Sequence, residues 1–110
     1  MMWIKYYSPK LNQTIKIRNQ TETNYAKLLD EDDDVILWMY QVTKMKYIDG
    51  FTGKWKTYIC DFRVERKNFI ENIEIKPPNK QLPLTKYLYA KNCIENWRWI
   101  TEEELNQCTK

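Results

Sequence analysis

The chain contains no histidine. That excludes Ser-His and Cys-His nucleophile pairs, His-ligated zinc and every hydrolase that relies on an imidazole base. If chemistry is done here, carboxylates and lysines carry it. Glycine is nearly missing as well: Gly50 and Gly53 are the whole supply, and both fall within Asp49-Gly50-Phe51-Thr52-Gly53, a hairpin-turn signal. Cysteine is sparse and odd in number. Cys60, Cys93 and Cys108 form no Cys-x-x-Cys pair, so a reduced cytoplasmic compartment is expected. No apolar run approaches a membrane span, and MMWIKYY lacks the apolar centre of a signal peptide. There are no internal repeats and no low-complexity linker.

What remains is enough for one core. At 110 residues, with 43% hydrophobic residues and five tryptophans, the chain reads as a single folded domain over residues 1–110. A net charge of +3 fits a nucleic-acid ligand without identifying one.

Residues 3–9 and 14–18, WIKYYSP and TIKIR, alternate apolar and polar as an N-terminal hairpin or extended basic arm would. Asn19 to Glu22 then opens a helix, with Asn19 as cap and Glu22 reaching back from the third position. Tyr25, Ala26, Leu28 and Leu29 form its apolar stripe. Glu22 lies three and seven residues before Tyr25 and Leu29, which sets its carboxylate on the core face rather than in bulk water. The bland alternative is that Glu22 only caps. Asp30 to Asp34, DEDDD, lacks the spaced oxygens and central Gly of a calcium loop and reads as a solvated turn.

A long strand is expected over Val35 to Ile48, with Ile36, Trp38 and Tyr40 on one face and Leu37, Met39 and Gln41 on the other. The glycine turn sends the chain back along Lys54 to Glu65, which carries Asp61. A third strand covers Phe69 to Lys76 and stops at Pro77-Pro78. Lys80 to Asn96 patterns as a helix with Pro83 in its first turn and Leu84, Tyr87, Leu88 and Ile94 as its stripe. Trp97 to Ile100 is a short strand, and Thr101 to Glu104 a capping box for a terminal turn. The expected architecture is an α/β layer with a central mixed sheet of about four strands flanked by helices, in the order α-β-β-β-α-β.

Strand parity puts Glu74 and Lys76 on one face of the third strand and Ile73 and Ile75 on the other. Asp61 shares a face with Ile59, opposite Cys60, Phe62 and Val64. Two carboxylates and an ammonium on adjacent strands can meet at one divalent cation and one water, since carboxylate oxygens suit hard cations. Glu-x-Lys alone also describes a solvated cross-strand pair on a sheet surface. The combination says more: an acid on the first helix, an Asp on the return strand of a hairpin, Glu-x-Lys closing the next strand.

In that order and spacing, TETNYAKLLDEDDDVILWMYQ, YIDGFTGKWKTYICDFRV and IEIKP resemble the PD-(D/E)XK nuclease superfamily, which includes restriction endonucleases and junction resolvases. Two small groups are most similar: the N-terminal domains of TnsA-type transposon-end endonucleases, and the head-completion nucleases of T-even-like phages. The tail TKYLYAKNCIENWRWITEEEL is similar to the phage group, and together these segments cover most of residues 19–105. The resemblance implies a restriction-endonuclease-like core and Mg²⁺-dependent hydrolysis of DNA, with Mn²⁺ as a substitute. It implies Asp61, Glu74 and the backbone carbonyl of Ile75 as metal ligands, Lys76 orienting the water, and Glu22 completing the site directly or through water. Cys60 stands where the motif usually has Pro, and a separate DNA-recognition domain is not expected, so backbone or structure recognition is expected rather than base reading. Lys44, Lys46, Lys54, Lys56, Arg63, Lys80 and Lys86 are candidate phosphate contacts. DNA, a second copy of the chain, and phage head or neck proteins or transposase subunits are the partners implied. The resemblance also fits host cytoplasm or a virion as the setting. The competing expectations are a non-catalytic structural or DNA-binding module that keeps this fold, and a small α/β binding domain outside the family.

Overall fold

In the computed structural model, residues 3–76 and 84–108 are described. The chain begins with an antiparallel hairpin of β1 (Ile4–Ser8) and β2 (Gln13–Ile17), the hairpin alternative of the two expected for the N-terminal segment. Ile17 drops into the core at its end, while Tyr6, Leu11 and Ile15 lie against that core.

Helix α1 (Gln20–Glu31) starts where its cap predicts. The Asn19 side chain accepts the Glu22 N–H at 2.9 Å, and Glu22 returns the contact to the Asn19 side-chain amide at 2.7 Å. Tyr25, Ala26 and Leu29 are buried, with Leu28 at the margin. The acidic run after it is more than a solvated turn. Asp30 still belongs to the helix and accepts from Tyr6 Oη, Ser8 Oγ and Trp38 Nε1, tying the hairpin, helix and sheet together. Asp32 and Asp34 both reach Arg66. A polar tryptophan N–H sealed in a core requires an acceptor, and Asp30 meets that requirement.

Each of the two long strands expected is in fact two. The outgoing strand splits into β3 (Val35–Tyr40) and β4 (Lys44–Ile48), the return into β5 (Trp55–Ile59) and β6 (Phe62–Arg66). Gln41 takes a left-handed backbone (φ 56°), which breaks the first strand, and Cys60-Asp61 breaks the second at the same level. Two bonds carry the pairing across the break: Gln41 N–H to the Asp61 carbonyl and Cys60 N–H to the Thr43 carbonyl, both 2.9 Å. The hairpin is thus folded into a sheet half and a projecting ribbon half. The predicted parity fails there, with Cys60 packing on one side of the sheet and Phe62 and Val64 on the other. A second departure lies at Ile36. A bulge sets Val35 opposite Arg66 and Leu37 opposite Glu65, so Ile36 turns to solvent instead of sharing the face of Trp38.

β7 (Ile70–Lys76) pairs antiparallel with β6, and β8 (Trp97–Thr101) pairs parallel with β7, giving a mixed four-stranded sheet in the order β3-β6-β7-β8. Helix α2 (Leu84–Cys93) makes the crossover and α3 (Glu102–Cys108) follows β8, capped by Thr101 as expected. α2 ends at Cys93, three residues before the predicted Asn96. Its buried contributions are Ala90 and, just beyond its end, Ile94, while Leu88 is exposed. Pro77, Pro78, Lys80, Pro83 and the Leu84 side chain fall outside the described residues.

The sheet divides two apolar clusters. One joins α1, α3 and the first hairpin to Trp38, Phe62, Val64, Ile73 and Ile75, with the Phe62 ring set against Tyr25, Trp38 and Tyr40 at 5.1–5.7 Å. The other joins the β4–β5 ribbon to α2 through Tyr47, Tyr58, Cys60, Ala90 and Ile94. β7 is covered on both faces, so even its polar residues Glu71, Asn72 and Glu74 are buried. Glu71 is held by Arg66 and Arg98, and Asn72 by Thr43 and the Glu95 carbonyl. No helix among the described residues is long and apolar enough to cross a membrane.

Candidate active site

The break in the hairpin creates the site. β6 pairs with β7 through Phe62 opposite Ile73, so the next residue outward, Asp61, stands beside Glu74. The backbone of β6 has turned away at that point, and the Ile75 N–H is taken instead by Asp61 Oδ2 at 2.8 Å. Asp61 is 2% exposed and Glu74 8%. Glu74 is therefore no solvated surface partner of Lys76, and the surface-pair alternative fails for it.

Two buried carboxyls side by side repel one another when both are ionised. Burial, then the charge of Glu22, pushes the Asp61 carboxyl above the usual carboxylate range. Burial, then Asp61, pushes Glu74 up as well. Glu74 Oε2 is sealed from solvent without a hydrogen-bond partner. An orphaned carboxylate oxygen beside a second carboxylate is the kind of donor pair that a hard divalent cation satisfies, so Asp61 and Glu74 fit such an ion.

Glu22 reaches the cluster from α1, 2% exposed, but its oxygens are occupied. Tyr40 Oη donates to Oε1 at 2.6 Å, and Oε2 accepts from Asn19 and from Arg18 Nε and Nη2. Arg18 Nη2 also lies 3.1 Å from Asp61 Oδ1, so one guanidinium bridges the first and second acids. In this arrangement Glu22 acts on Asp61 through its charge and through the shared Arg18, with no oxygen free to serve as a ligand. Among the described residues, no group of three or more His, Cys, Asp or Glu side chains is gathered for a metal ion. Sequence reasoning missed Arg18 and Tyr40. Arg18 precedes the helix cap, so helical spacing gave no signal for it, and its place beside Glu22 and Asp61 is set by the tertiary fold.

The two candidate lysines on this side come from different elements. Lys76 shares the Glu74 face of β7, and its Nζ lies 5.0 Å from the centre of the Trp99 ring on β8. Lys86 on α2 sits with Nζ 4.6 Å over the Tyr58 ring, and its positive charge eases the ionisation of Glu74. Tyr58 Oη accepts from Trp97 Nε1 at 3.1 Å, fixing that ring beside the acid. Of the other basic candidates, Lys44, Lys46, Lys54 and Lys56 lie on the ribbon and its tip, all exposed, while Arg63 is half-buried between Met39 and Asn72 on neighbouring strands. Lys80 lies outside the described residues.

Cys60 offers no alternative nucleophile. Burial and the nearby Glu74 push its thiol up to about 12, and Sγ contacts the Ile73 carbonyl at 3.2 Å. The arrangement can hold a cation between two carboxylates with Lys86 nearby, or hold a shared proton without one. Compared with protein-family models and with curated proteins, the chain matches none.

Proposed function

We propose that the chain is a Mg²⁺-dependent DNA endonuclease with a restriction-endonuclease-like core, of the phage head-completion or mobile-element kind. The observation that carries this reading is the Asp61–Glu74 pair, buried beside the Ile75 backbone, with one carboxylate oxygen left without a partner. The helix, three antiparallel strands, crossover helix and parallel strand run in the order that the resemblance implies. DNA is then the substrate, with a second copy and phage head, neck or transposase proteins as candidate partners.

Asp61 and Glu74, with the Ile75 carbonyl beside them, would hold the ion; the bound Mg²⁺ supplies Lewis acidity toward the phosphate and a more acidic water. The protein's own groups do the remaining work. Lys76 orients the attacking water and offsets phosphate charge, and Lys86 adds a second cation near Glu74. Glu22 and Tyr40 fix Arg18, and Arg18 fixes Asp61. Hydrolysis adds the water oxygen to phosphorus as the ester oxygen leaves with a proton, and pre-set charge stabilises the extra negative charge at phosphorus.

One observation favours a second reading, a non-catalytic DNA-binding module. Arg18 already supplies a cation between Glu22 and Asp61, as a structural ion pair would. Cleavage assays separate the two. Duplex, nicked, branched and single-stranded DNA are incubated with Mg²⁺ or Mn²⁺, with wild type beside Asp61→Ala, Glu74→Ala and Lys76→Ala. Metal-dependent cutting abolished by all three substitutions is expected. An inactive wild type that also binds no Mn²⁺ would sink the catalytic reading.

A further inference from the structure

The β4–β5 ribbon has one face packed and one face bare. Met45, Tyr47 and Tyr58 turn inward onto α2. The opposite face carries the cross-strand pairs Lys44–Ile59, Lys46–Thr57 and Ile48–Trp55, every member exposed. Trp55 is 68% exposed, and Phe51 at the tip is 97% exposed. Tryptophan on a two-stranded ribbon, paired with Ile48 and sharing its face with Ile59, is costly to leave in water and invites unwanted pairing.

Charge decides what fits this face. Residues 44–59 hold four lysines against the single acid Asp49, an excess equal to the net +3 of the whole chain. Asp49 is tied to Lys56 at 2.7 Å, and among the described residues no carboxylate pairs with Lys44, Lys46 or Lys54. Lys46, Trp55, Lys56 and Thr57 line an open hollow of about 460 Å³. An apolar partner protein would leave those ammonium groups buried without counter-ions. A polyanion that also presents flat apolar faces matches both halves of the surface.

We infer that the outer face of the ribbon is a binding arm for unpaired DNA: Trp55 stacks on an exposed base, Phe51 extends the platform at the tip, and Lys44 and Lys46 hold the flanking phosphates. Bases inside a duplex already stack on their neighbours, so a protruding ring platform selects a single strand or a frayed end. The ribbon springs from the Cys60-Asp61 break, which puts Trp55 at most about 20 Å from Asp61. The acids lie beside Tyr58, on the packed side of the ribbon, so the arm would tether a strand near the site rather than lay it directly on them. The inference rests on the nuclease reading for its purpose, naming single-stranded or branched DNA as the substrate class, though binding itself needs no catalysis.

The test is fluorescence anisotropy in EDTA with a labelled oligothymidylate and a blunt duplex of equal length. Wild type is expected to prefer the oligothymidylate. Trp55→Ala should weaken that binding about tenfold or more, and Trp55→Phe should restore most of it. Lys46→Ala should weaken both ligands and flatten the salt dependence by roughly one phosphate contact. Circular dichroism should be unchanged throughout, because these side chains lie in solvent. Equal affinity of Trp55→Ala and wild type, a preference for blunt duplex, no binding to either, or Trp55-dependent self-association without DNA would each overturn the arm. Asp61→Asn run alongside keeps the two ideas apart. Trp55-dependent binding without Mg²⁺-dependent cleavage would remove the nuclease and leave the arm, whereas cleavage indifferent to Trp55 would do the reverse.

Discussion

At the scale of single residues, the informative feature is a carboxyl pair raised by its surroundings. In the unfolded chain Asp61 and Glu74 ionise near pH 4. Folding buries them together, so the metal-free native state holds on to a proton that the unfolded chain has already released. Linkage then makes the pair harmless below that range and increasingly destabilising as pH rises through the folded values. Glu74→Gln removes one ionisation and offers an amide donor to Asp61. In EDTA it should raise stability by roughly 1–2 kcal/mol near about pH 8, and by much less near about pH 4.5, read from thermal melts. Arg18 predicts the converse. Arg18→Gln leaves Glu22 and Asp61 facing one another, and because Arg18 is partly exposed the loss at neutral pH should be about 1–2 kcal/mol. If a cation belongs between these acids, Mn²⁺ should raise the Tm of Arg18→Gln by more than it raises that of wild type. An equal rise in both would mean that Arg18 and the metal do not share a site.

At the scale of elements, α1 is held by its cap, and the cap is also part of the site. Asn19 accepts the Glu22 N–H and donates to its carboxylate, so one side chain starts the helix and orients an acid. Asn19→Ala should cost about 1 kcal/mol of stability, a few degrees in Tm. It should also loosen Glu22, shifting the metal-free pH profile of stability. A Tm loss with an unchanged pH profile would separate capping from any role in the cluster. The broken hairpin is the second lesson at this scale. Alternation of side chains in 35–48 and 54–65 is compatible with one long hairpin, and the sequence holds no Pro or Gly at Gln41 or Cys60 to warn of a break. The break arises because the lower half must pack between β7 and the first cluster while the upper half closes over α2.

At the scale of the molecule, two apolar clusters share one sheet, and the rings around Phe62 sit at the centre of the larger. Phe62→Ala should cost about 3–5 kcal/mol, a large share of the stability of a domain this size, and should appear as a collapsed unfolding midpoint in urea. Trp55→Ala, removing a larger ring, should leave the midpoint within about 0.5 kcal/mol because that ring lies in solvent. Similar midpoints for the two variants would mean that the ribbon belongs to the cooperative core.

The sequence by itself determined the local facts: α1 with Asn19 at its head and Glu22 turned inward, the glycine turn at the tip, and the order of elements around one crossover helix; it left the first hairpin open against an extended arm. These follow from caps, turns and side-chain periodicity, which act over a few residues. Tertiary structure alone decided that Asp61 leaves its strand to capture the Ile75 N–H, that Arg18 bridges two acids, that Lys86 comes near Glu74, and that the ribbon's outer face stays bare. Each depends on residues far apart in the chain arriving at one point, where burial and mutual charge take over from local preference.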